Sequence, residues 1–152
     1  MAQYGVTDAD IVDGAWLDEA ASNVDLFNGI IPGTPGSIGA GDDSIYIISE
    51  ANPATSACAF GLSTIEDPAS SSGHIMRWRR AKDAAGGGTI GLTVGVYMGY
   101  ISEATVGTLI NAFVDANLSE TIATTTDTLS GGEADAITDY ADLQVRFEAN
   151  QT

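Results

Sequence analysis

Basic residues are almost missing from this chain. Five Lys and Arg stand against 21 Asp and Glu, for a formal net charge of −16. No basic residue precedes Arg77: residues 1–76 hold 11 acidic residues, and residues 77–152 hold 10 acidic and all five basic ones. A surface of this sign repels polyanions, which argues against general nucleic-acid binding and against attachment to anionic membranes. Two uses of the acids stay open: solubility, or attraction to a basic surface on a protein partner.

Cysteine is reduced to Cys58 and histidine to His74. One cysteine allows no intramolecular disulfide and no cysteine metal cluster. Cys58 alternates with Phe60 and Leu62, so a buried thiol is expected. His74 opens a segment on the side of Met76 and Trp78, which predicts a structural role. The nucleophile elbow, the phosphate-binding Gly-Lys-Ser/Thr loop and the dinucleotide fingerprint are all missing. Gly86-Gly87-Gly88 is followed by no lysine. Carboxylate pairs abound, but glycoside hydrolysis needs two of them at a set separation across a cleft, and 21 acids make chance pairs inevitable. The expectation is a protein that is not an enzyme, with no catalytic residue and no cofactor.

Calcium is the metal that hard oxygen ligands would suit, at Asp8, Asp10 and Asp13 or at Asp42-Asp43. The helix-loop-helix calcium pattern is missing, so solvated charge is expected there and no metal is assigned. Apolar runs are short: none reaches the roughly 18 residues of a membrane-spanning helix. No basic segment followed by an apolar run opens the chain, and no secretory signal is expected.

What is present suits one β domain. The chain has 152 residues, of which 44% are apolar, enough for a two-layer core without staples. Its 18 glycines follow no three-residue period, which excludes collagen. Residues 1–10 read as an extended N-terminal arm or as simple fraying, and 11–152 as a single domain. Ile11, Val12 and Trp16 suit a short strand against the core. Strands are predicted from Leu26 to Ile31, Ser44 to Ser49, Ala57 to Leu62, and Thr121 to Leu129. The segment from Pro32 to Asp43, with its Pro-Gly pairs, is a loop.

From His74 to Ala81 the alternation is sharp. His74, Met76, Trp78 and Arg80 share one face, and Ile75, Arg77 and Arg79 the other. Thr89 to Ile101 is the clearest strand. Ile90, Leu92, Val94, Val96, Met98 and Tyr100 face one way, and Gly91, Thr93, Gly95, Tyr97 and Gly99 the other. Glycine weakens a strand, so three on one face point to curvature or to close approach of another chain. Leu109 to Val114 suits a strand or a short helix. Ala134 to Ile137 reads as one helical turn, and Leu143, Val145 and Phe147 alternate in a last strand. About eight or nine short strands with Gly/Pro turns predict an all-β fold. The form chosen is a two-sheet antiparallel sandwich, jelly-roll-like.

Two stretches carry a resemblance. One runs from Gly61 through Glu66-Asp67-Pro68 and His74-Ile75-Met76-Arg77-Trp78-Arg79-Arg80 to Asp83. The other is Leu129-Ser130-Gly131-Gly132-Glu133-Ala134-Asp135-Ala136-Ile137, continuing through Tyr140 to Phe147. With the predicted strands before them they cover roughly residues 10–150, and together they resemble a β-sandwich module of structural proteins from tailed bacteriophages and prophages. The chain departs from that pattern at Pro32–Asp43 and at Ser102–Asn117. The resemblance implies a virion role and supplies no catalytic residues. A single module without a shaft or trimerisation stalk is expected to be a capsid decoration (cement) protein. It would be a homotrimer that sits on the capsid surface against the major capsid protein. The alternative is a tail- or fibre-associated receptor- or glycan-binding module, with Trp16, Tyr46 or Tyr97 as its aromatic patch; a soluble lectin-like domain outside any virion is a third class. Expected partner-binding residues are Arg77, Arg79, Tyr97, Gly91, Gly95 and Gly99. Acids near the arginines would instead neutralise them.

Overall fold

The computed structural model describes residues 3, 5–29, 46–84 and 88–152. The expected loop from Pro32 to Asp43, with Asp42-Asp43, and the pair Gly86-Gly87 lie outside the described residues.

Among the described residues the protein is predominantly β, with three antiparallel sheets. Five strands form the main sheet: β1 (Thr7–Val12), β4 (Ser56–Leu62), β9 (Leu143–Gln151), β6 (Ile90–Met98) and β7 (Thr108–Asp115), in that spatial order. Two small sheets pair β2 (Leu17–Asp18) with β3 (Ile47–Ile48), and β5 (Ile75–Arg80) with β8 (Ala123–Thr128). Of the ten residues expected as an arm, four, Thr7 to Asp10, belong to the edge strand β1, paired to β4.

The pairs nest. β4 pairs with β9, β5 with β8, and β6 with β7, all antiparallel. Residues 56–151 therefore form one long ribbon doubled back on itself. Pairing of β6 with β9 then rolls the ribbon sideways.

Period-two alternation sets the inner face of the main sheet, since successive side chains in a strand point to opposite sides. Leu92, Val94 and Val96 of β6 are buried, as are Phe60 of β4 and Val145 and Phe147 of β9. Met98 is partly buried against them. Over this face lies β5, whose Trp78 meets Phe113 of β7 edge-to-face at 5.0 Å. Cys58 is fully buried, and burial pushes its thiol well above the usual range. Leu118, Leu129, Ile137 and Tyr140 complete the cover. The helical turn predicted at Ala134–Ile137 begins earlier, as α1 (Gly131–Asp135). It carries a capping box, in which the Glu133 N–H donates to Ser130 Oγ and the Ser130 N–H donates to Glu133 Oε2.

The layer opposite the main sheet is divided, where one second sheet was expected. Asp18 shows why β2 stops after two residues. Its Oδ1 accepts from the Ala20 and Ser22 N–H groups, 2.9 and 2.7 Å, and folds the chain into a local turn. The strand predicted from Leu26 to Ile31 is, over Leu26–Gly29, a 3₁₀ turn instead. Asp10 decides this: its carboxylate accepts from the Leu26 and Phe27 N–H groups, 2.8 and 2.7 Å. A carboxylate at the start of a helical turn satisfies donors that a sheet ladder would otherwise need.

Candidate functional site

Two surfaces carry the residues singled out by the sequence, and they lie on opposite sides of the molecule. Arg77 and Arg79 point outward from β5, away from the core side occupied by Met76 and Trp78. Arg77 Nε reaches Thr126 Oγ1 of β8 at 3.4 Å. Arg80 turns inward. Its guanidinium donates to Asp115 Oδ2 at 2.5 and 3.0 Å, bonds Thr125 Oγ1, and lies 5.1 Å from the centre of the Phe113 ring. The hydrogen bond from Arg80 holds the Asp115 carboxyl below its usual range. Arg80 is thus neutralised by an acid; Arg77 and Arg79 point outward from the strand.

Gly91, Gly95 and Tyr97 belong to the outer face of the main sheet. The chain itself fills the space above these glycines. A Cβ on Gly95 would meet the Tyr97 ring at 2.6 Å, and one on Gly91 would meet Asp115 O at 3.3 Å. An aromatic ring laid over a strand glycine restores the cover its missing side chain leaves. Gly99 lies beyond the strand, with φ +76°. That left-handed conformation breaks the alternation and sends Tyr100 to the outer side. The sequence placed Tyr100 on the core face with Leu92. It sits instead beside Tyr97, ring centres 5.5 Å apart, and is 2% exposed.

Tyr100 anchors a polar network that sequence reading missed. Arg146 of β9 donates to Glu103 at 2.9 and 3.0 Å, and pairs with Glu148 at 2.7 Å. The Tyr100 hydroxyl donates to Glu103 Oε1 at 2.7 Å, and its backbone N–H donates to Gln144 Oε1 at 2.8 Å. Gln144 Nε2 in turn donates to Asp142 at 2.7 Å. Burial, then the hydrogen bond to Glu103, pushes the Tyr100 hydroxyl up to about 12. Burial alone would lower Arg146, but its hydrogen bonds to Glu103 and Glu148 outweigh that and hold the guanidinium above its usual range. The hydrogen bond from Arg146 holds Glu103 below its usual range. The one available signal was Arg146 alternating outward in a strand whose other face is apolar.

Chemically, this network is braced. Its guanidinium is engaged by two carboxylates, and its phenol stays protonated, so the network offers neither a base nor a nucleophile. On the other layer, an open cleft of about 380 Å³ is lined by Asp67, Ser70, Ser71, Asp135 and Tyr140. The Tyr140 hydroxyl is tied to His74 Nε2 at 2.6 Å, and burial, then Asp67 and Asp135, raises its pKa. His74 thus packs against the Tyr140 ring, 5.7 Å between ring centres.

Among the described residues, no group of three or more His, Cys, Asp or Glu side chains is placed to hold a metal ion. Asp8, Asp10 and Asp13 form no such group: Asp10 is committed to the 3₁₀ turn, and the Asp13 carboxyl is raised by burial and by the charge of Asp10. Of the aromatics considered for a sugar patch, Trp16 is buried in the core, whereas Tyr46 is 48% exposed. No helix among the described residues is long and apolar enough to cross a membrane. Protein-family models, curated proteins and solved structures give no match to this chain.

Proposed function

We propose that the chain is a jelly-roll structural protein of a virion, and that it acts as a capsid decoration protein bound to the major capsid protein on the shell. The nested pairing carries this reading. A jelly roll is a long antiparallel ribbon wrapped into two facing layers. The pairs β4 with β9, β5 with β8 and β6 with β7, closed by β6 with β9, are the pairs such a ribbon makes when its innermost hairpin is reduced to a short loop. The bridge between Ser102 and Thr105 marks that loop. The resemblance of Gly61–Asp83 and Leu129–Phe147 to phage structural modules supports the same assignment.

The surface supports a binding role over a catalytic one. Its arginine–carboxylate network is saturated, and its acidic excess suits docking on basic patches of a shell, where charge guides encounter and register. Cryo-electron microscopy of intact particles tests the assignment. Density for this fold on the shell is expected, together with lower heat resistance of particles that lack the protein. Density at the tail tip and none on the shell would replace the decoration role with the tail-module role. Sugar binding by the isolated protein would point the same way.

A further inference from the structure

The strand pair β5 and β8 turns outward a face whose charge is opposite to that of the whole chain. Residues opposite each other in an antiparallel pair share a side of the sheet. Ile75, Arg77 and Arg79 of β5 therefore lie on one side with Thr128, Thr126 and Thr124 of β8, and this is the side away from Met76 and Trp78. None of these outward residues is acidic, in a chain that carries 21 acids. Both ends of the face are apolar and open to solvent. Ile75 is 60% exposed at one corner, and Ile122, just before β8, is 45% exposed at the diagonal corner.

The arginines divide into two kinds. Arg80 and Arg146 are engaged by carboxylates of their own chain. Arg77 makes no ion pair among the described residues, and its contact is the long one to Thr126 Oγ1 at 3.4 Å. A guanidinium carries more donors than that contact uses, in a fork that matches a carboxylate. Arg77 and Arg79 stand two residues apart on one strand, so their origins are about 7 Å apart. Alternate side chains of any extended peptide have the same spacing, so carboxylates at alternate positions of such a peptide come into register with both. Charge density selects among anionic partners. A nucleic acid or a sulfated polysaccharide extends past this small face onto acidic surface and is repelled there. A short segment with a few carboxylates stays on the face, and acids farther off than the Debye length of about 8 Å are screened.

We propose that the outward face of β5 and β8 is a docking surface for an extended acidic peptide segment of a partner protein, with carboxylates at alternate positions against Arg77 and Arg79 and apolar residues against Ile75 and Ile122. The threonine hydroxyls of β8 bring no competing charge to this contact. The surface goes beyond the virion role and is independent of it: peptide binding is read on the isolated chain, and the virion role on particles.

Fluorescence anisotropy tests this, with the full chain titrated to about 1 mM against a short labelled peptide that carries glutamate at alternate positions between valines. The wild type is expected to bind this peptide and not its glutamine counterpart. Arg77→Gln is expected to weaken binding at least about tenfold, and Arg77→Lys to recover part of the loss, because a lysine keeps the charge without the fork. Ile75→Ser should weaken binding by a smaller factor. Val114→Ser, at a residue 66% exposed on β7, should leave it unchanged. Arg77 and Ile75 are exposed, and far-UV circular dichroism checks that their variants keep the wild-type fold. The proposal is overturned by a wild type that does not bind the glutamate peptide, by equal binding of the glutamine peptide, or by Arg77→Gln binding as tightly as wild type. A loss in Val114→Ser as large as in Arg77→Gln would overturn it too. Heparin bound more tightly than the peptide would overturn it in favour of a polyanion site.

Discussion

Arg146 shows how one residue organises a whole face. Its side chain is 11% exposed and bridges Glu103 and Glu148. Removing one partner of a buried ion pair is costly because the remaining charge keeps its desolvation without compensation. Glu103 is 53% exposed, so water screens part of that cost. Arg146→Gln is expected to lower stability by about 2 kcal/mol at neutral pH, read from urea denaturation midpoints. The pH dependence has a definite sign. Glu103 titrates below its ordinary value of 4.5 in the folded state. Its unfolded form binds protons more readily, so the pair stabilises the fold above 4.5, and that stability is lost as the pH falls through the folded value. The gap between wild type and Arg146→Gln should therefore shrink toward about pH 3. A gap that stays constant from neutral pH down to that point would mean that the arginine acts by packing alone.

At the scale of elements, short segments depend on single side chains. α1 is five residues long, too short to persist on helix propensity. Its capping box and the burial of Ala134 hold it in place. Ser130→Ala removes the acceptor for the Glu133 N–H and is expected to cost about 1 kcal/mol. A thermal unfolding transition unchanged within error would show that packing by Ile137 and Tyr140 is sufficient. The same dependence on side chains explains which elements the sequence disclosed. β5 and β6 alternate regularly, so their faces were legible up to Met98, where β6 ends short of the Tyr100 predicted on its core face. The 3₁₀ turn at Leu26–Gly29 was read as a strand, because its apolar composition says nothing about Asp10, 16 residues earlier in the chain and bonded to its N–H groups.

For the whole molecule, charge is the dominant sequence feature. A net charge of −16 on 15.6 kDa repels itself in the compact state. Added salt shortens the Debye length to about 4–5 Å near 0.5 M, so the melting temperature is expected to rise by several degrees between low and high salt. A differential scanning calorimetry series in sodium chloride measures this. A flat or falling melting temperature would show that ion pairs such as Arg146–Glu103 outweigh the general repulsion.

The sequence by itself determined the β class, the buried face of β6, the split of β5 into Arg77 and Arg79 outward and Trp78 inward, and the buried Cys58. All of these are period-two properties of a strand, and alternation is a local signal. Tertiary structure alone decided the rest. Whether Tyr100 faced the core or the outer network turned on the backbone of Gly99 and on Gln144, 44 residues away. Whether six candidate contact residues formed one site turned on the order of strands, which put Arg77 and Arg79 on one layer and Gly91, Gly95 and Tyr97 on the other. Which strands ended the main sheet was equally hidden, because pairing across long separations leaves no mark on the pattern of residues along the chain.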